Sequence, residues 1–260
     1  MKKFIATYWK TLLFFAIVGL LGGFFVGLYL LNSYPAEIKD QLIGELEAAG
    51  LGDAPVDLLI AVTTAFQSLF YGAVLGAIGI YIAKAVGLWR DEISLERKPI
   101  IITAVASVIG GLALILPDVL FFGNYSEAIM NSYAEKPGIV YILATVTYGA
   151  IIEEVMMRLF AFSLVAFILH KIFGKGADKP GEGMMIGANI ASALLFAIGH
   201  IPANIILLGA SPLIIARCIL LNGFFGLLYG WLYRKFGLRY AMIAHGGCHI
   251  VSKLIWVLFI

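Results

Sequence analysis

Long apolar runs separated by short polar loops dominate the chain. They fall at about Phe4–Leu31, Leu58–Leu88, Ile100–Leu116, Ile139–Ile172, Met184–Ile201, Ser211–Tyr233 and Leu238–Phe259. Most reach the roughly 20 residues a helix needs to cross about 30 Å of hydrocarbon. None has the short alternating pattern of a membrane β-strand, so the need to satisfy the backbone inside a bilayer leaves helices. The pattern predicts an all-α, polytopic transmembrane bundle of about seven to eight helices, one transmembrane domain over residues 1–260.

Breakers and small residues refine that outline. Pro117 is expected to end the third span and Pro202 the fifth, since proline disfavours helix in the residue before it. A re-entrant or half-span element between His200 and Pro212 is the candidate eighth helix. Gly19, Gly23 and Gly27 form a ridge that lets another helix come close, and Gly72 and Gly76 suggest the same on the second span. Between these spans, Pro35, Gly50 and Gly52 break a polar stretch in which Glu37–Ala49 reads as a short amphipathic surface helix. Trp89–Arg97 reads as a charged loop.

Composition agrees: 62% of residues are hydrophobic and 13% charged, with a mean hydropathy of +0.98, outside the soluble class. A net charge of only +2, carried in short loops, argues against nucleic acid as a partner. Cys218 and Cys248 both lie in apolar runs and read as small packing residues. The run after Met1-Lys-Lys is too long for a signal core and reads as a retained first span. Of the 18 Lys and Arg, Lys39, Lys136 and Lys253 fall on the far side of a seven-span layout and Arg158 and Arg217 inside spans. The rest flank the Met1 side. The positive-inside rule then predicts an integral membrane protein with a cytoplasmic N-terminus, in the plasma membrane of a prokaryote or the endoplasmic reticulum of a eukaryote.

Charge inside the apolar runs marks the chemistry. Glu153, Glu154 and Arg158 lie within the fourth span, where each charge costs roughly 2.5–3.5 kcal/mol near the bilayer centre. On a helix Glu154 and Arg158 are four apart, acid first, the favourable order for an ion pair. Glu153 points about 100° away and is left to act as a general base. His200 lies in the fifth span; His245 and His249 share a face of the seventh, with Gly246 and Gly247 leaving room for a close backbone or a substrate. A carboxylate and an imidazole can share the activation of a water, and two further donors can hold the oxyanion formed when it attacks an amide. The same residues also fit a buried structural ion network. Arg217, Asn189, Asn222, Thr145, Thr147 and Tyr148 read instead as interhelical links. Taken from the predicted cytoplasmic ends, Glu153 and His200 lie on the order of 25 Å deep but His245 only about 9 Å, so a shared site needs the spans to shift or tilt.

Glu153-Glu154-x-x-x-Arg158, Phe196-x-x-x-His200 and His245-x-x-x-His249, in that order, resemble the motifs of the CPBP (ABI) family of intramembrane proteases, which includes the type II CAAX prenyl endopeptidases. The resemblance covers about Gly138–Ile250. It makes 138–260 the motif-bearing half and leaves the helices of residues 1–122 non-catalytic. It implies an intramembrane endopeptidase in which Glu153 and His200 activate water, Glu154 and Arg158 support the site, and His245 and His249 form the oxyanion hole. The implied partners are the lipid bilayer and a membrane-associated or prenylated protein or peptide substrate. His249 stands where these endopeptidases have asparagine, and a neutral imidazole has only one donor nitrogen. No cofactor is expected. A zinc-dependent version with Glu153, His200, His245 and His249 as ligands is the second reading, although HExxH is absent. A non-enzymatic proton-coupled transporter or scaffold is the third.

Overall fold

The structure, a computed structural model, describes residues 2–51, 55–91 and 96–260. Gly52 and the middle of the Trp89–Arg97 loop lie outside the described residues. Nine helices follow one another among the described residues, without a strand. They are α1 (Lys2–Ser33), α2 (Ala36–Ala48), α3 (Val56–Ala85), α4 (Arg97–Leu120), α5 (Glu127–Asn131), α6 (residues 139–173), α7 (Glu182–Leu208), α8 (Pro212–Phe236) and α9 (Leu238–Phe259). The seven long helices predicted are present, and α1, α3, α4, α7, α8 and α9 are long and apolar enough to cross a membrane by length and composition. The predicted surface helix is α2, which buries no residue.

Two predicted boundaries are wrong for one reason. Pro117 and Pro202 both sit inside helices, α4 running on to Leu120 and α7 to Leu208. Proline costs a helix one hydrogen bond and crowds the carbonyl four residues back. In membrane helices, neighbouring helices and polar side chains make good that loss, so the helix continues. The extra turns of α7 occupy residues 201–208, where the eighth element was expected.

Local signals set other ends well. Ser211 caps α8 by accepting the Ile214 N–H at 3.2 Å, with Pro212 in the first turn. Gly237, at φ 101°, turns the chain from α8 into α9 in a conformation other residues adopt only at a cost.

Within lipid there is little hydrophobic drive between helices, so close packing and polar contacts decide who pairs. The α1 ridge packs on α3: a Cβ on Gly23 would collide with the Thr64 carbonyl and the Ser68 hydroxyl, and one on Gly27 would stand 2.5 Å from Ala61 Cα. In the same way α7 lies along α8 and α4 along α9, while α6 runs through the centre touching α1, α3, α7, α8 and α9. Val155, Leu159, Phe162 and Ala166 of α6 form the core with Phe15, Ile80, Phe196, Tyr229 and Ala244. Half-exposed Leu13, Phe14, Ile17, Phe66 and Phe70 make an apolar outer surface suited to lipid.

The predicted interhelical links are only partly such. Asn189 donates to the Leu227 carbonyl at 3.1 Å, and Arg217 of α8 pairs with Asp118 of α4. Thr145, Thr147 and Asn222 instead bond to carbonyls of their own helices. These side chains reach the carbonyl three or four residues back more easily than a partner helix. Lys253 is not a loop cation: it is buried on α9 with its ammonium 4.3 Å from the centre of the Tyr141 ring.

Candidate active site

The middle of α6 is not an α-helix. Thr145–Glu153 and Val155–Phe162 are wound as π-helix, with Glu154 at the junction. Such winding has i→i+5 bonding, is rare, and is frequent at functional sites. Neither hydropathy nor spacing distinguishes it from an α-helix; the only hint is the weak helix formers Thr145, Thr147 and Gly149.

The adjacent carboxylates part company as expected. Glu154 and Arg158 have no exposed surface, and Glu154 Oε1 lies 3.2 Å from Arg158 Nη1 and 2.9 Å from His245 Nδ1. Arg158 is fixed further by the Phe225 and Gly226 carbonyls, at 3.4 and 3.3 Å, and by the Phe196 ring, 4.6 Å from its guanidinium carbon. Glu153 turns to α7 instead: its Oε1 is 3.9 Å from His200 Nε2, with 20% of the Glu153 side chain and 33% of the His200 side chain exposed. One acid is therefore sealed in an ion network, and the other is reachable.

Ring tautomers follow from the partners. His200 Nδ1 lies 2.8 Å from the Phe196 carbonyl oxygen, which can only accept, so Nδ1 carries the proton and the Nε2 facing Glu153 is an acceptor when the ring is neutral. A carboxylate oxygen and this nitrogen, 3.9 Å apart, can both accept from one water lying about 2.8 Å from each. Across the space, the His245 ring is stacked between Tyr229 and His249, with centroids 4.6 and 4.9 Å away. The Nε2 atoms of His249 and His245 converge on Gly149, 3.4 and 4.0 Å from where its Cβ would be. A side chain on Gly149 would fill the place toward which both imidazoles point.

All six predicted residues are thus gathered by α6, α7 and α9. The difference in depth disappears because the helices end at different levels. Gly79 of α3 packs on Leu159, about 9 Å from the end of α3 but about 21 Å from the end of α6 at 1.5 Å per residue. Helix ends do not share a plane, so distance from an end does not measure depth. Gly246 and Gly247 leave room for neighbouring helices, not for substrate: a Cβ on Gly247 would collide with the Ser107 side chain, and one on Gly246 would stand 3.2 Å from Ala150 Cβ. Sequence reasoning missed Tyr229, which stacks on His245, and Ser192, whose hydroxyl donates to the Met157 carbonyl at 2.7 Å and ties α7 to α6. Tyr229 resembles any aromatic in an apolar run, and its role exists only where three helices meet.

The donors do not group as a metal site: among the described residues no three His, Cys, Asp or Glu side chains are arranged to hold an ion. A cavity of about 770 Å³ at the α8–α9 turn, lined by Arg90, Lys98, Trp231 and Arg239 among others, includes none of the six residues.

Residues 135–251 match the model of the family described as Type II CAAX prenyl endopeptidase Rce1-like, a span that contains all six residues and bears out the resemblance read from their motifs. No curated protein and no solved structure was found to match.

Proposed function

We propose, from a C-terminal half that carries the type II CAAX prenyl endopeptidase pattern, that this integral membrane protein is an intramembrane endopeptidase. It hydrolyses a peptide bond of a membrane-associated, prenylated substrate by direct attack of water. The observation that carries the reading is the division of labour at 153 and 154: Glu154 is locked to Arg158 and His245 while Glu153 faces His200 at 3.9 Å with both side chains accessible.

Two acceptors facing each other hold a water by its two hydrogens and leave an oxygen lone pair directed outward. That lone pair attacks the carbonyl carbon as a proton passes to the Glu153 carboxylate, and the carbonyl oxygen becomes an oxyanion. His249 supplies a donor to it from Nε2, as an asparagine amide does in the related endopeptidases. His245, with Nδ1–H donated to Glu154, keeps its own Nε2 as an acceptor while neutral. Its part is to align His249 by stacking. Collapse of the intermediate breaks the C–N bond, with Glu153 returning the proton to the leaving nitrogen. Arg158 pairs with the Glu154 carboxylate whose Oε1 meets His245 Nδ1, and so helps to keep His245 in one orientation.

The basic flanks on the Met1 side support an N-terminus in the cytoplasm. Cysteine accessibility at introduced loop positions tests that orientation. Purified protein in detergent, given prenylated CAAX peptides alongside unprenylated and internal-sequence controls, should release the C-terminal fragment. Folded Glu153→Gln and His200→Ala variants that still cleave would overturn the proposal. Metal independence belongs to the same reading: chelator treatment is expected to leave the rate unchanged, and stoichiometric zinc by elemental analysis with chelator loss would favour the zinc-dependent version.

A further inference from the structure

A buried ion pair at the other end of α4 and α8 is joined, atom by atom, to the helix turn that holds His200. Asp118 has no exposed surface and accepts Arg217 Nε at 2.5 Å, a second bond from Nη2 of the same guanidinium, and the Tyr133 hydroxyl at 2.7 Å. The third guanidinium nitrogen, Nη1, faces Asn204 Oδ1 at 3.2 Å. Arginine has donors only, so the Asn204 amide is turned one way, with its oxygen on Arg217 and its nitrogen turned back along its own helix, α7. There Nδ2 donates to the His200 carbonyl at 2.9 Å.

This extra bond lies in the turn that Pro202 weakens. Pro202 has no N–H to give the Ile198 carbonyl, and its ring crowds that carbonyl, so the turn carrying His200 lacks one bond of its ladder. A staple between α4 and α8 requires only Arg217 and Asp118. The oriented amide carries the restraint onward to His200, whose Nε2 meets Glu153 at 3.9 Å. We infer that Asn204, held by Arg217 and Asp118, is a positioning residue that sets the angle at which His200 faces Glu153. The inference rests on the reading of Glu153 and His200 as the pair that activates water.

Two variants of the full-length protein test it on a prenylated CAAX peptide, with Glu153→Gln as the reference. Asn204→Ala removes the amide and leaves Arg217 on Asp118. Asn204→Asp keeps an oxygen on Arg217, adding charge to the staple, but turns a second oxygen toward the His200 carbonyl, acceptor against acceptor. Misplacement of a reacting group by about 1 Å costs about a hundred-fold. Both variants are therefore expected to lose ten- to a hundred-fold in kcat, with KM within about two-fold, and Asn204→Asp should melt no lower than Asn204→Ala. Wild-type kcat in either variant overturns the inference while leaving the proposed function standing, provided Glu153→Gln is inactive. Asn204→Asp at wild-type kcat beside an impaired Asn204→Ala would make the network a staple alone. An active Glu153→Gln overturns the proposed function, and this inference with it.

Discussion

Glu153 and Glu154 are the same residue type one peptide bond apart, and their surroundings give them different work. Glu154 has no exposed surface and shares one oxygen between Arg158 and His245. Removing one partner of a buried pair leaves an uncompensated charge, at about 3–5 kcal/mol. Arg158→Met is therefore expected to lower the unfolding midpoint sharply in a detergent melt, and cleavage with it. Glu153→Gln should leave the melt nearly unchanged and reduce cleavage by about 10²–10⁴-fold, the range of general acid–base catalysis. His249 separates donor from ring. His249→Asn keeps a donor and should retain cleavage within about ten-fold, while His249→Phe keeps the stacking on His245 and should lose about 10²–10³-fold, the scale of one oxyanion donor. Equal kcat for the two would remove His249 from the oxyanion role.

The helices pair through small residues and meet the reactive side chains through irregular ones. A Cβ on Gly23 has no room against α3, whereas Gly44 of α2 has nothing within 4 Å. Overpacking a close contact costs about 1–3 kcal/mol, and exposed positions change stability by less than about 0.5 kcal/mol. Gly23→Leu should thus lower the melting midpoint and Gly44→Leu should not; equal melts would mean that the α1–α3 contact is not tight in the membrane. The glycine ridge was legible because four-residue spacing of small residues has one geometrical meaning on a helix. The π-winding of α6 was not, because a change from i→i+4 to i→i+5 bonding leaves no trace in hydropathy. Nor were the ends of α4 and α7, where a local rule about proline yields to neighbouring helices that satisfy the freed carbonyls.

Across the whole molecule, polar clusters at the ends of the bundle register the helices. At one end Asp91 accepts from the Tyr8 hydroxyl at 2.7 Å and the Trp89 indole at 2.8 Å, and pairs with Lys84 at 3.1 Å, joining α1 and α3 to the loop after them. The Tyr8 hydroxyl and then the Lys84 ammonium hold the Asp91 carboxyl below its ordinary range. Such a carboxyl stabilises the fold at any pH above its unfolded value, about 3.9, and loses that contribution as pH falls through the folded value. The difference in melting midpoint between wild type and Asp91→Asn should therefore be constant near neutrality and shrink below about pH 4; a difference that persists in acid would show that charge on Asp91 is not what matters.

The amino-acid order alone determined that the chain is helical and membrane-embedded, and which six polar residues stand out against that background. Length, periodicity and the cost of charge in hydrocarbon act within a single segment, so they can be read from one. Only the tertiary structure decided that the three segments bring those residues to a common space and that His245 answers to Glu154 while His200 answers to Glu153. It also showed the paired glycines of α9 to be room for helices rather than for substrate. Each of these depends on the relative height and rotation of separate helices, which are set by contacts between residues far apart in the chain.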